Sequence, residues 1–137
     1  MKEFMDTEKL IRKARSGNNA AKNRFYDRLN VRFLPIVTCE LKRHAVLQKA
    51  NVDLEKAGAD ICRKALDEIR RICPIDGASW SLKRAVHILH NIADDYIVNA
   101  LVPMAKDDNA EAENLLFVLI RNKLLQWMER KSWKISG

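Results

Sequence analysis

Apolar residues recur along the chain at the three- and four-residue spacing of helices, and no segment alternates as a half-buried strand does. The clearest stripe takes every fourth position from Ala21 to Leu41, and Pro35 is expected to kink or split the helix there. Further amphipathic stretches begin after Asp53 and Ser79 and in the last quarter of the chain. The pattern predicts an all-α fold, a compact bundle of five to six helices.

Short polar segments mark the ends of the predicted helices. Thr7 is placed to cap the first helix, and the turn at Ser16-Gly17-Asn18-Asn19 separates it from the second. Asp53 is placed to cap the third helix, which Pro74 and the turn up to Gly77 bring to an end.

The sequence predicts a division near Pro103, which is expected to lie beyond the end of the fourth helix. Residues 1–103 would form the main helical domain, and residues 104–137 a linker and a C-terminal helix packing on it. The apolar stripe of that last helix is Leu116, Leu119, Ile120, Leu124 and Trp127.

Charge is unevenly distributed in a chain of net charge +7. Residues 1–49 hold 12 Lys and Arg against 5 Asp and Glu, an excess that favours contact with a polyanion or an acidic protein face. The candidate phosphate contacts in this part are Arg12, Lys13, Arg15, Lys22, Arg24 and Arg28. No apolar run reaches the roughly 20 residues that a bilayer requires, so we expect a cytoplasmic protein without membrane contact.

The sequence offers little for catalysis. Its four glycines stand alone, without the clustering that cradles a phosphate, and no nucleophile and base form an evident pair, so no enzyme activity or cofactor is expected. His87, His90 and Asp94 could share a metal on one helix face, but exposed polar side chains explain them better, and no metal is predicted. The cysteines are expected to be reduced core thiols: Cys39, Cys62 and Cys73.

Three stretches resemble region 2 of bacterial sigma factors, particularly the small extracytoplasmic-function group. They are LIRKARSGNNAAKNRFYDRL (Leu10 to Leu29), GADICRKAL (Gly58 to Leu66) and HILHNIADDYI (His87 to Ile97). They follow one another in the family's order, with Asp60 and Ile61 matching the Asp-Leu of its second motif.

The resemblance implies two contact surfaces. In the family the second motif docks on RNA polymerase, which here implies a partner-binding set of Asp60, Arg63, Lys64 and Asp67. The third motif helps to melt the promoter and captures flipped bases. Its counterpart here implies that bases meet His87, His90 and Asn91. Lys83 and Arg84, just before this stretch, are the alternative phosphate contacts to the basic residues in the first third of the chain.

We therefore expect a non-catalytic, sigma-like domain that contacts RNA polymerase, promoter DNA (single-stranded DNA included), or both. The family's Gln-Glu pair is Arg63-Lys64 here, a reversal of charge, and the residues after Ile97 leave no room for the family's region 4. The alternative is accordingly a helical adaptor that uses a sigma-like fold and a basic face to bind an acidic protein partner.

Overall fold

The computed structural model describes residues 2–49 and 53–136, and the side chains of these residues except at 2–6, 127 and 129–136. The described residues form helices and no strand, which confirms the all-α prediction. The helices are α1 (Lys2–Arg15), α2 (Asn19–Lys42), α3 (Ala45–Lys49), α4 (Leu54–Ile72), α5 (Leu82–Lys106) and α6 (Ala110–Ser136).

The chain divides into two compact units, Met1–Ala93 and Asp94–Gly137, with the boundary inside α5. The division predicted near residue 103 stays a prediction. The end predicted for α5 is wrong, however, because Pro103 lies within the helix. A proline in the last turn of a helix removes only one backbone hydrogen bond, so the helix can end at Lys106.

Helix α2 supplies the central apolar stripe of the first unit and packs against α1, α3 and α4. All six predicted positions are buried: Ala21, Phe25, Leu29, Phe33, Val37 and Leu41. The helix continues through Pro35, and the chain breaks instead at Arg43 and His44, before α3. Of the predicted kink or split at Pro35, the split is wrong, and burial of Phe33 and Val37 on either side of the proline stabilises the continuous helix.

A tight turn joins α1 to α2. Gly17 adopts a φ of +96°, in the left-handed region that glycine enters without steric cost, and the Asn18 side chain accepts a hydrogen bond from the backbone N–H of Ala21. The predicted turn is thus confirmed, but the cap at Thr7 is wrong. Helix α1 begins at Lys2, so Thr7 lies inside it, where its hydroxyl accepts a hydrogen bond from Arg28.

Helix α4 begins as predicted, because the Asp53 side chain accepts a hydrogen bond from the backbone N–H of Lys56. Its buried face consists of Ala57, Gly58, Ile61, Cys62, Ala65, Leu66 and Ile69. The four-residue steps of this face continue from Ile69 to Cys73, which is buried, whereas Ile72, where the apolar pattern of the sequence also allows an inward position, is 42% exposed.

The contact between α2 and α4 is closest at Gly58. A Cβ atom built on Gly58 would lie 2.7 Å from the Oγ1 atom of Thr38. Real Cβ atoms do not approach oxygen so closely, so the missing side chain of Gly58 lets the two helices approach at this point.

Helix α5 begins later than predicted. The Ser81 hydroxyl accepts a hydrogen bond from the backbone N–H of Arg84, whereas the Ser79 hydroxyl donates to the carbonyl of Ile72. Leu82 is therefore the first helical residue and is 59% exposed. The buried row runs at four-residue steps through Ala85, Leu89, Ala93, Ile97 and Leu101.

In the second unit, α6 begins at Ala110 after Asp108 adopts a φ of +64° and the Asn109 side chain accepts from the N–H of Ala112. Of the predicted stripe, Ile120 and Leu124 are exposed and Leu116 and Leu119 are half-buried, while the side chain of Trp127 lies outside those described. Within the described part of the chain, no helix is both long and apolar enough to cross a membrane.

The cysteines differ in exposure. Cys62 and Cys73 are buried, as predicted, and burial raises the pKa of Cys62 to about 11 and that of Cys73 in the same direction. The prediction of a core thiol is wrong for Cys39, which is exposed. Cys39 lies on the side of α2 away from the buried stripe, which passes through Val37 and Leu41.

Replacing Gly58 with Ala should destabilise the protein by about 1 kcal/mol, because overpacking of about 1–3 kcal/mol outweighs the helix propensity of about 1 kcal/mol that Ala gains. In a Thr38→Ala background the clash is absent, so Gly58→Ala should raise the unfolding free energy. Denaturant unfolding of the wild type, the two single variants and the double variant measures the coupling free energy between the two substitutions. Additive effects would show that Gly58 and Thr38 are not in contact.

Maleimide labelling of the native protein at about pH 7.5 should modify one cysteine rapidly, because only the thiolate reacts and two of the thiols are buried. Cys39→Ser should abolish the rapid phase. In that variant, unfolding in denaturant should expose the two remaining thiols, those of Cys62 and Cys73. Rapid native labelling of Cys62 would contradict the burial described here.

Candidate functional site

Four cations lie along the edge of the contact between α1 and α2. Lys9 and Lys13 directly precede Leu10 and Ala14, two buried residues of α1. Arg24 and Arg28 in the same way directly precede Phe25 and Leu29, which are buried on α2. One residue corresponds to about 100° of rotation on a helix, so each cation emerges beside the interface and remains exposed.

The two helices form an antiparallel hairpin with a groove along this edge. Thr7, early in α1, contacts Arg28, well into α2, while the turn at Gly17 joins the other ends. The groove encloses about 480 Å³. Among the described side chains it is lined by Lys9, Leu10, Lys13, Asn18, Ala20, Ala21, Arg24 and Arg28, a set with four cations and no acid.

The start of α2 adds to the positive potential of the groove. Asn18, Ala20 and Ala21 belong to the capping position and first turn of α2, and they form part of the groove wall. A helix N-terminus carries a partial positive charge, and the first turn of α2 holds no acidic residue to offset it. The groove is therefore suited to an anion with several negative charges.

Arg28 is held in place within the groove. Its Nη1 atom donates to the Oγ1 atom of Thr7 over 3.0 Å, which fixes the guanidinium at the boundary between the two helices. A guanidinium carries five donors, so this bond leaves it able to contact a ligand. A phosphate oxygen is the ligand atom that such a planar group binds best.

Two of the predicted phosphate contacts, Arg15 and Lys22, do not line the groove. The Nη1 atom of Arg15 donates to the carbonyl of Ile75 over 3.0 Å, and the Nζ atom of Lys22 lies 3.0 Å from the Oδ2 atom of Asp76. Both cations hold the turn between α4 and α5. Arg12 is exposed and is also not among the residues that line the groove.

The same turn is anchored from inside the first unit. The hydroxyl of Tyr26 accepts a hydrogen bond from the backbone N–H of Ile75 over 3.0 Å in a buried position. The guanidinium of Arg70 lies 4.5 Å from the centre of the Tyr26 ring, and Phe25 meets Trp80 edge to face at 5.3 Å. Arg15 and Lys22 therefore complete a structural contact rather than extend the groove.

The nucleic-acid contacts predicted on α5 are exposed residues, and their role stays a prediction. Lys83, His87 and His90 lie at four- and three-residue steps on one face of the helix, with Arg84 and Asn91 beside them. The Nη1 atom of Arg84 donates to the carbonyl of Ser79 over 3.4 Å. Across the described residues, no group of three or more His, Cys, Asp or Glu side chains is placed to hold a metal ion.

The predicted partner-binding set lies on the outer side of α4. Arg63 and Lys64 are exposed, and the Nη2 atom of Arg63 lies 3.4 Å from the Oδ1 atom of Asp60. With Asp67 also exposed, two cations and two carboxylates share this surface. Its formal charges cancel, whereas those of the groove all have one sign.

Lys9 is the groove residue that the sequence analysis missed. The signal was present, because Lys9 and Lys13 are four residues apart and each precedes an apolar residue of α1. The excess of basic residues shows only that the first third of the chain is cationic. It does not show which cations lie beside the contact between α1 and α2 and which bind the distant turn between α4 and α5.

Comparisons of the chain with protein-family models, with curated proteins and with solved structures find no match.

Replacing Asp76 with Asn should lower the melting temperature at neutral pH and have less effect in acid. The hydrogen bond from Lys22 lowers the pKa of Asp76 in the folded protein. The stabilisation is complete above the unfolded pKa of about 3.9 and is lost as the pH falls through the lower folded pKa. Thermal unfolding of both proteins between about pH 6 and pH 2 measures this difference.

The matched control is Asp67→Asn, which removes an exposed carboxylate from α4. A difference between wild type and Asp76→Asn that stays constant down to the lowest pH would contradict a role for the ionised carboxylate.

Proposed function

We propose that this chain is a non-catalytic, sigma-like helical domain that acts in transcription, in the cytoplasm, by contacting nucleic acid, RNA polymerase or both. The groove between α1 and α2 binds the phosphate backbone of the nucleic acid. The observation that carries the proposal is the lining of the groove, in which Lys9, Lys13, Arg24 and Arg28 are joined by no acidic residue among those whose side chains the structure describes.

Phosphate chemistry fits this groove for two reasons. Neutralising several phosphates releases condensed counterions, which is the main source of non-specific affinity for nucleic acid. Two of the four cations are arginines, whose planar guanidinium binds phosphate in a bidentate manner. The acidic residues nearest in sequence, Glu8 and Asp27, are exposed and do not line the groove.

The resemblance to sigma region 2 supports the transcriptional part of the proposal. Its three stretches fall in order on the α1–α2 hairpin, on α4 and on α5. All the lining residues of the groove except Lys9 lie in the first of these stretches, whereas the family's own contacts with bases come from the third. The proposed phosphate contact of this chain therefore adds to the surface that the resemblance implies.

A second candidate is an adaptor that binds an acidic protein. The observation that favours it is the exposure of Arg63 and Lys64 at the place where the family carries Gln and Glu. The balanced charges around them, including the ion pair between Arg63 and Asp60, make this surface a weaker anion site than the groove.

Binding of a fluorescent single-stranded oligonucleotide should weaken steeply with salt, with a slope of log K against log salt of about −3 for four phosphate contacts. The double variant Lys13→Gln, Arg24→Gln should reduce the magnitude of that slope by about 1.4. Fluorescence anisotropy at several salt concentrations measures both values.

The matched control is Arg63→Gln, Lys64→Gln, which removes the same charge from α4 and should leave the slope unchanged. If both double variants showed the same salt slope and the same loss of affinity, net charge and not the groove would govern binding. The adaptor would be favoured if no oligonucleotide bound at low salt while an acidic polypeptide bound and lost affinity in the α4 variant.

A further inference from the structure

Four large apolar side chains form an exposed line along α6, here named the α6 seam. Phe117 is 65% exposed, and the other members are also exposed: Ile120, Leu124 and Met128. Steps of three and four residues keep all four within about 80° of one another around the helix, at about 100° per residue. Apolar positions at this spacing are typical of the surface along which two helices pair.

The seam is separate from the side of α6 that is buried. Ala112 is buried, and Leu116 and Leu119 follow it at four- and three-residue steps and are half-buried. Lys123 continues that row, and its Nζ atom contacts the Oδ1 atom of Asp95 on α5. The centre of the seam lies about 115° around the helix from this row. Packing of α6 against α5 therefore leaves the seam uncovered.

Opposite charges stand at the two ends of the seam. Glu113 is exposed and precedes Phe117 by one four-residue step. Lys131 comes eighteen residues after Glu113 in the same helix, which is about five full turns, so its position falls on the same line. A parallel pair of α6 helices would bring acid to acid and base to base, whereas an antiparallel pair brings acid to base.

The seam also matches itself about one point. Ile120 and Leu124 lie two residues on either side of Asn122, and the two charged ends lie nine residues on either side of it. A two-fold axis at Asn122 places Ile120 opposite Leu124 of a second copy, and Glu113 opposite Lys131 of that copy. A two-fold interface requires this reciprocity, in which residue i meets j and j meets i. A second copy thus fits the seam in both apolar contact and charge.

We infer that the α6 seam is the contact surface of an antiparallel dimer, in which α6 packs along α6 of a second copy. Burial of the apolar side chains of both copies drives association, and the charged ends fix the direction of the helices. Arg121 lies beside the seam, one residue from the axis, and there it approaches its own counterpart. These like charges oppose association, so the dimer is weaker than its apolar contact alone would make it.

Sedimentation equilibrium of the full chain measures the dimer dissociation constant. The wild-type protein should pass from monomer to dimer between about 1 and 100 μM. Leu124→Ser should weaken the dimer by at least about 10-fold, because each dimer loses two apolar side chains. The matched control is Leu125→Ser, which removes the same side chain, 46% exposed against 53%, from a position about 100° away around the helix. It should leave the dissociation constant unchanged.

Charge substitutions test the direction of the helices and the identity of the partner. Glu113→Lys and Lys131→Glu should each weaken the dimer by about 3- to 10-fold, and the two together should restore the wild-type dissociation constant. Arg121→Gln should tighten the dimer by about 2- to 5-fold, because it removes a repulsion that only a second copy of the chain supplies.

Unchanged melting temperatures at concentrations where the protein is monomeric would show that the variants fold, as expected for exposed positions. A protein that stays monomeric up to about 1 mM would overturn the inference. So would equal weakening by the Leu124 and Leu125 variants, or a dimer that the Glu113 and Lys131 substitutions leave unchanged, or one that Arg121→Gln weakens. The groove belongs to the first unit, so each of these outcomes would leave the proposed function standing.

Discussion

The structure of the first unit depends on the burial of one residue in four along α2. Four residues exceed one helical turn by about 40°, so a stripe at this spacing winds slowly around the helix. Its early members, including Ala21 and Phe25, lie in the part of α2 that contacts α1 through the short turn at Gly17. Further along, α2 meets α4 at Thr38 and Gly58. A single helix thereby supplies the packing surface for both α1 and α4.

The candidate site follows from the same arrangement. Because the apolar residues occupy every fourth position, a cation that directly precedes one of them lies at the edge of the helix contact. This is the position of Arg24 and Arg28 on α2 and of Lys9 and Lys13 on α1. The groove needs no dedicated loop, and its positive charge is concentrated because none of the described residues that line it is acidic.

Sequence reasoning succeeded where the determinants were local. The Gly17 turn, the Asp53 cap and the α2 stripe depend on residues a few positions apart, and all three are as predicted. It did not anticipate contacts between residues far apart in sequence: Arg15 and Lys22 contact a turn more than fifty residues away, which no local pattern indicates. Three groove cations were among the predicted contacts, and Lys9 was not. The contacts predicted on α4 and α5 and the resemblance to sigma region 2 stay predictions.

The measurement that tests this account most directly is a titration of the isotopically labelled protein with a single-stranded oligonucleotide, followed by amide chemical shifts. If nucleic acid binds in the groove, the largest changes fall on residues 9–13 of α1 and 18–28 of α2, with small changes on the outer side of α4. Changes concentrated on residues 83–91 of α5 would contradict it. They would show that nucleic acid uses the surface implied by the third sigma-like stretch and that the groove is not its binding site.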